Sequence, residues 1–213
     1  MSRNVEVYEA LRSVSNQQLA AFCAACAERG SGLAQLGTPE QQDQLTRLLG
    51  VAWGVLSGGQ SEESAVEVLE EAELMFDEDD PLAEDDPGSP EFLVAQAILL
   101  AVNAISVCLH PDPRRAEMSG QTLETILSSL DFRMSGQQAV FVRHGEAEPP
   151  VGRLQQLEQD AQHAFMESII HGGGEPLDRE ALEMLRVTSA PVRDEITAAI
   201  AEVAELCGWD TAD

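Results

Sequence analysis

Residues 38–59 read TPEQQDQLTRLLGVAWGVLSGG, and this stretch contains the signals for one complete helix. Thr38 and Pro39 are residue types preferred at the N-cap and at the first helical position, and Gly58-Gly59 is a stop signal. Between them the apolar residues recur every three or four positions, which is the pattern of an amphipathic helix with one buried face. That face consists of Leu45, Leu48, Leu49, Ala52, Trp53 and Leu56.

The same start and stop signals recur along the rest of the chain. Ser15 or Asn16 is expected to cap a helix that runs to Arg29 and is ended by Gly30 and Gly32. Residues 133–150 are less regular, and 139–142 fit either one short strand or a helical turn. Further helices are predicted over 4–13, 61–76, 90–109, 113–132, 151–170, 178–187 and 191–207.

The composition supports the same fold class. Hydrophobic residues make up 44% of the chain and aromatic residues only 4%, so the core must consist mainly of Leu, Ala, Val and Ile. Alanine and leucine are strong helix formers, and period-two β patterns are nearly absent. We therefore expect an all-α protein, a single multi-helix bundle of about eight or nine helices with short connections. One domain over 1–213 is predicted, with an acidic loop at 77–90 and a candidate C-terminal helical subdomain at 151–213.

The charge is strongly unbalanced, because 38 acidic residues face 12 basic ones and the net charge is −26. Such a surface repels phosphate backbones and anionic membranes, so neither nucleic acid nor a membrane is an expected partner. The favoured partner is a basic protein, or a second copy of this chain. A surface that is only highly solvated is the alternative interpretation.

The acids are concentrated in one region of the sequence. The 66 residues between Arg47 and Arg114 contain no basic residue, whereas 14 acids lie between Glu62 and Glu91. One helix face and a proline-bounded loop of the same sign give a local field that can attract a basic partner. The candidate partner-binding residues are Glu67, Glu70, Glu71, Asp77, Glu78, Asp79, Asp80, Glu84, Asp85 and Asp86.

Three cysteines and a histidine suggest a metal or redox site as an alternative function. Cys23 and Cys26 form a C-x-x-C pair, which Cys108 and His110 would have to complete from the end of another helix. However, the three cysteines lie on apolar stripes, where a free thiol behaves as a small hydrophobic group. We therefore predict no metal and no cofactor.

A second partial motif lies at 140–146, where Arg143-His144-Gly145-Glu146 follows an apolar run. It resembles the signature of histidine phosphatases, in which a strand presents a nucleophilic histidine flanked by arginines. That chemistry needs a parallel sheet and a second histidine, whereas the residues after 150 are predicted to be helical. We therefore expect no catalytic residues, and a phosphatase that uses Arg143 and His144 remains only the lesser alternative.

The chain is expected in the cytoplasm. Residues 1–6 are polar and lack the apolar segment of a signal peptide, and four cysteines without secretory context suggest reduced thiols. The apolar run 92–109 approaches the length of a membrane span. It contains Gln96, Asn103 and Ser106, so we interpret it as a buried central helix.

Several scattered segments resemble the YjaG-like family of all-helical bacterial proteins of unknown function. These segments follow the expected order over residues 5–203, apart from the acid loop at 77–91 and a glycine-rich insert at 172–174. The resemblance implies an α-helical cytoplasmic domain and carries no activity. It rests on Phe22, Cys26-Ala27-Glu28-Arg29, Leu48, Ala52-Trp53, Leu56, Leu69-Glu70-Glu71-Ala72, the helix of 95–109, Gly120-Gln121-Thr122-Leu123 and the helix from Glu183 to Arg186.

These observations favour a non-enzymatic, acidic, helical binding protein. An inhibitor of the immunity type, or an adaptor for a basic protein, fits that description because electrostatic complementarity speeds association and selects partners. A metal- or redox-linked protein built on the cysteines is the principal alternative.

Overall fold

A computed structural model describes residues 4–73, 88–136, 150–171 and 176–209, and this part of the chain is helical almost throughout. It contains eight α-helices and two 3₁₀ helices, which confirms the predicted all-α bundle. The α-helices are α1 (Val5–Ala10), α2 (Asn16–Gly30), α3 (Pro39–Leu56), α4 (Glu62–Glu73), α5 (Pro90–Leu109), α6 (Pro113–Ser135), α7 (Arg153–His171) and α8 (Arg179–Cys207). The 3₁₀ helices are Leu11–Ser13 and Ser31–Leu36.

The predicted N-caps are present and explain where the helices begin. Ser15 and Gln18 form a reciprocal capping box at the start of α2, and Thr38 and Gln41 form another at the start of α3. In such a box each side chain bonds a backbone N–H that would otherwise have no partner. The Ser89 hydroxyl likewise accepts from the Phe92 N–H at 3.1 Å, so α5 begins at the predicted serine–proline signal.

Helix α2 is the centre of the bundle. It packs against α3, α5, α6, α7 and α8, and nearly all of its residues are buried. Its many alanines permit this, because small side chains let neighbouring helices approach on every side. Helices α7 and α8 contribute Phe165 and Ile196, among others, to the same hydrophobic cluster.

Helix α5 is the most apolar element. Within the described residues it alone has the length and composition of a membrane-spanning helix. In the structure it packs against α2, α3, α4, α6 and the second 3₁₀ helix, and residues such as Ala97, Ala101 and Ile105 are buried there. Leu99 lies on its partly exposed side.

One predicted break between helices is wrong. Residues 178–187 and 191–207 belong to one continuous helix, α8, which passes through Pro191. Proline removes one hydrogen bond to the carbonyl four residues earlier, but Val187 and Pro191 are both on the exposed side, where water can satisfy that carbonyl. Helix α2 ends at Gly30, at the predicted stop, and the second 3₁₀ helix follows directly because Gly30 has a helical φ of −65°.

Candidate functional site

Helix α4 presents one buried face and one acidic face. Ala65, Val68 and Ala72 are buried, since α4 packs against α3 and α5. The predicted residues Glu67, Glu70 and Glu71 are all exposed on the other side. The seven predicted acids from Asp77 to Asp86, like most of the predicted loop 77–90, lie outside the described residues.

The acidic face is only partly neutralised. An Arg47 Nη2 lies 2.8 Å from Glu71 Oε2, with both side chains more than half exposed. Among the described residues, neither Glu67 nor Glu70 forms an ion pair with a basic side chain. Val66, which precedes Glu67 on α4, is 40% exposed, so an apolar group borders the acidic face.

The cysteines do not form the predicted alternative site. Cys23 and Cys26 are buried in α2, and Cys108 is half-buried near the end of α5, where its Sγ is 3.8 Å from the Ala52 carbonyl oxygen. Burial raises the pKa of Cys23 and of Cys108 to about 12, and it also raises the pKa of Cys26. Buried neutral thiols are poor nucleophiles and poor ligands.

No group of three or more potential metal-ligating His, Cys, Asp or Glu residues occurs in the described ranges. His110 is exposed at the end of α5 and does not meet the cysteines of α2 as a ligand set. Arg143 and His144, the residues of the phosphatase alternative, lie outside the described ranges, as does the candidate strand 139–142.

A buried ion pair connects α2 with α7. Arg29 donates from Nε and from Nη2 to the two carboxylate oxygens of Glu158, each at 2.6 Å, and Gln162 donates to Glu158 Oε1 at 3.0 Å. The charge of Glu158 raises the pKa of Arg29, although burial opposes it. This bidentate arrangement is the geometry in which a buried guanidinium and carboxylate compensate each other.

A second polar cluster joins α1 to α6 and α7. The Tyr8 hydroxyl donates to Glu124 Oε1, and Gln159 donates to Glu124 Oε2 at 2.8 Å. Asn4 donates to Gln162 Oε1 at 3.1 Å and thereby connects this cluster with the ion pair. Burial, followed by the hydrogen bond to Glu124, raises the pKa of Tyr8.

A third polar group, around Glu28, opens to solvent. Trp53 Nε1 donates to Glu28 Oε2 at 3.0 Å, and Arg193 Nη1 donates to Glu28 Oε1 at 3.3 Å. Arg186 Nε lies 3.5 Å from Glu28 Oε2. The two guanidinium groups line a cleft of about 350 Å³ between the second 3₁₀ helix, α3 and α8, hereafter the Glu28 cleft.

The buried polar roles of Glu28, Arg29 and Glu158 were not predicted from the sequence. One signal was available for the first two. Glu28 and Arg29 end an alanine-rich helix, and a helix that is apolar on every side forces any charge on it to be buried and paired. The identity of the partner, Glu158, has no signal in the sequence because 129 positions separate it from Arg29.

No protein-family model, no curated protein and no solved structure matches this chain. The similarity to the YjaG-like family therefore stays a prediction.

Proposed function

We propose that this chain is a non-enzymatic binding protein that uses its acidic α4 face to engage a basic protein partner. An immunity-type inhibitor and an adaptor are the two forms of this function that such a surface suits. The acids of 77–86 lie a few positions after α4 in the sequence and add to the negative charge of this part of the chain.

The observation that carries the proposal is the exposure of Glu67, Glu70 and Glu71 on one face of a helix whose other face is packed. Because these carboxylates are solvated, their charges carry little desolvation cost, and Glu67 and Glu70 are available to a cationic partner. Unlike charges attract at long range and increase the rate of encounter. Exposed Val66 adds an apolar contact, which is the usual complement to charge at a protein interface.

The metal or redox alternative has less support. Cys23 and Cys26 are buried and their thiols have raised pKa values, so these groups are poorly suited to metal binding or thiol exchange. We therefore do not favour that function.

The decisive experiment compares two triple variants with equal net charge. The test variant is Glu67→Gln, Glu70→Gln and Glu71→Gln on α4. The control is Glu195→Gln, Glu202→Gln and Glu205→Gln on α8, which also removes three exposed acids and one exposed ion pair, that of Arg153 with Glu195. Because glutamine has nearly the same helix propensity as glutamate, both variants should keep the fold.

Each protein is used to capture partners from native lysate at low salt, and bound proteins are identified by mass spectrometry. The expected result is a basic protein that the wild type and the α8 control retain, that the α4 variant loses, and that salt releases. Retention of every captured protein by the α4 variant would refute the proposal, as would the absence of any basic protein. A third variant, with the acids of 77–86 changed to amides, separates the contribution of that segment.

The second-copy alternative has its own measurement. If the favoured partner is this chain itself, the purified protein should sediment as a dimer. Because an acidic face cannot pair with an identical acidic face, such a dimer should survive the α4 substitutions. A dimer that is lost with these substitutions would contradict this assignment of the α4 face to a basic partner.

A further inference from the structure

The Glu28 cleft is the place where the structure concentrates cationic groups of a strongly acidic protein. Arg186 and Arg193 face one small cavity, although the whole sequence contains only 12 basic residues. Both come from α8, and they are seven positions apart, so they lie two turns apart on one side of that helix.

Glu28 serves as an internal anchor for these arginines. Its side chain is 7% exposed, and its two carboxylate oxygens are occupied by Trp53, Arg193 and Arg186. An incoming cation would have to compete with three partners for those oxygens. The charge that a ligand can reach in the cleft is therefore positive, although the buried group that holds the arginines, Glu28, is an acid.

The two arginines have different amounts of unused hydrogen-bonding capacity. Arg193 also donates to Asp194 from Nε and Nη2 at 3.2 and 3.1 Å, so its guanidinium is largely occupied. Arg186 Nε lies 3.5 Å from Glu28 Oε2, and in the described part of the chain the two Nη groups of Arg186 donate no hydrogen bond. With its side chain 47% exposed, Arg186 presents that free edge to solvent.

The cleft has an apolar wall as well as polar ones. Leu45 and Leu49 of α3 form the apolar part, and Gln35 and Thr46 are among the polar side chains around it. Gly32 brings the second 3₁₀ helix close to α8, because a Cβ at this position would lie 2.7 Å from the Arg193 carbonyl oxygen. The close approach of these two elements forms one edge of the cavity.

We propose that the Glu28 cleft binds a small monocarboxylate, whose carboxylate pairs with the free edge of Arg186 and whose apolar body rests on Leu45 and Leu49. A planar carboxylate can accept two parallel hydrogen bonds from a guanidinium group, whereas a spherical anion cannot use that paired geometry. The net charge of −26 disfavours ligands of higher negative charge, and so a monoanion is preferred to a phosphate dianion. This site is independent of the acidic α4 face.

The test is calorimetric titration of the full chain with benzoate, accompanied by three probes of similar size: benzamide, benzylamine and phenyl phosphate. Benzoate should bind with a dissociation constant of about 1 mM or lower, as expected for a ligand of this size. Benzamide and benzylamine should bind at least about tenfold more weakly because they lack the charge or reverse it. Phenyl phosphate should bind more weakly than benzoate.

Three variants locate the site. Arg186→Gln should weaken benzoate binding by roughly 10- to 100-fold, the range expected for loss of charge-assisted hydrogen bonds. Arg186→Lys keeps the charge without the fork and should fall between Arg186→Gln and the wild type. Arg153→Gln, which removes an arginine of α7 whose side chain is 60% exposed, should bind as the wild type does.

Tryptophan fluorescence provides a second readout. Trp209→Phe leaves Trp53 as the only tryptophan, and its indole is hydrogen-bonded to the carboxylate that anchors Arg186. Benzoate should change its emission with the same dissociation constant as the calorimetry. The proposal is overturned if benzoate gives neither signal at about 10 mM, if benzamide binds equally well, or if Arg186→Gln binds unchanged. Tighter binding of phenyl phosphate than of benzoate would overturn the assignment to a monocarboxylate.

Discussion

Arg29 of α2 and Glu158 of α7 form a bidentate ion pair in which both hydrogen bonds measure 2.6 Å and the two side chains are 3% and 0% exposed. The pair joins the central helix to a helix that begins more than a hundred residues later. Because neither charge is solvated by water, the desolvation cost of each is offset only by its interaction with the other and with neighbouring polar groups.

Glu158→Gln should therefore destabilise the protein strongly, by about 3–5 kcal/mol, because it leaves the Arg29 charge buried without a counter-charge. Chemical denaturation monitored by circular dichroism measures this loss as a lower free energy of unfolding. Replacing both residues by apolar ones, Arg29→Met with Glu158→Leu, should restore most of the stability. The exposed pair of Arg153 and Glu195 supplies the control, and Arg153→Gln should cost less than about 1 kcal/mol. A Glu158→Gln cost no larger than that of the control would contradict this account.

The four thiols should differ sharply in reactivity. Cys207 is exposed, whereas Cys23 and Cys26 are buried and Cys108 is half-buried. Because burial holds the pKa of Cys23 and Cys108 at about 12, these thiols stay protonated at neutral pH. A chromogenic disulfide reagent should therefore modify one thiol per folded chain rapidly and all four in denaturant. Cys207→Ser should abolish the rapid phase, and a rapid phase that persists in this variant would show that a thiol of the core is accessible.

Tyr8 should titrate only when the protein unfolds. Its folded pKa is raised above the ordinary value of 10.0 by burial and by Glu124, so the folded state keeps the phenolic proton where the unfolded state releases it. This contribution to stability is complete below pH 10.0 and is lost as the pH rises further, at a rate of roughly 1.4 kcal/mol per pH unit. Tyr8 is the sole tyrosine, so the tyrosinate absorbance band reports it directly. Tyrosinate that forms with a midpoint near 10 while the far-ultraviolet spectrum stays native would disprove this prediction.

Two glycines should respond oppositely to alanine. A Cβ at Gly50, on the exposed side of α3, meets no atom within 4 Å, so Gly50→Ala should stabilise the protein by about 0.5–1 kcal/mol through higher helix propensity. A Cβ at Gly32 would collide with backbone of α8, so Gly32→Ala should destabilise it by about 1–3 kcal/mol. The midpoint of thermal unfolding should rise for Gly50→Ala and fall for Gly32→Ala relative to the wild type. A stabilising Gly32→Ala would mean that the second 3₁₀ helix and α8 are not in close contact.

Much of the fold was predictable because its signals are local. A cap such as Ser15 or Thr38 acts on backbone groups three residues away, and a stripe such as the one from Leu45 to Leu56 needs only one helix to be recognised. The error at Pro191 has a physical origin. Proline removes a hydrogen bond and its ring crowds the carbonyl four residues earlier, and a helix tolerates it more readily where that carbonyl can reach water, which depends on tertiary structure.

The polar clusters were less predictable because their members come from distant segments. Nothing near Glu28 in the sequence indicates that Trp53 and Arg193 will meet it, since helix packing alone brings them together. The acidic face of α4 was predictable for the opposite reason. Glu67, Glu70 and Glu71 share one helix with the apolar residues that orient it, so their exposure follows from periodicity.

The position of α2 has a consequence for biosynthesis. This helix precedes in the sequence the helices that cover it, which include α5, α6, α7 and α8. A ribosome therefore exports the most deeply enclosed helix long before it exports the helices that enclose it. The core can close only after α8 has been synthesised, and until then the alanine-rich surface of α2 is exposed to chaperones and to other nascent chains.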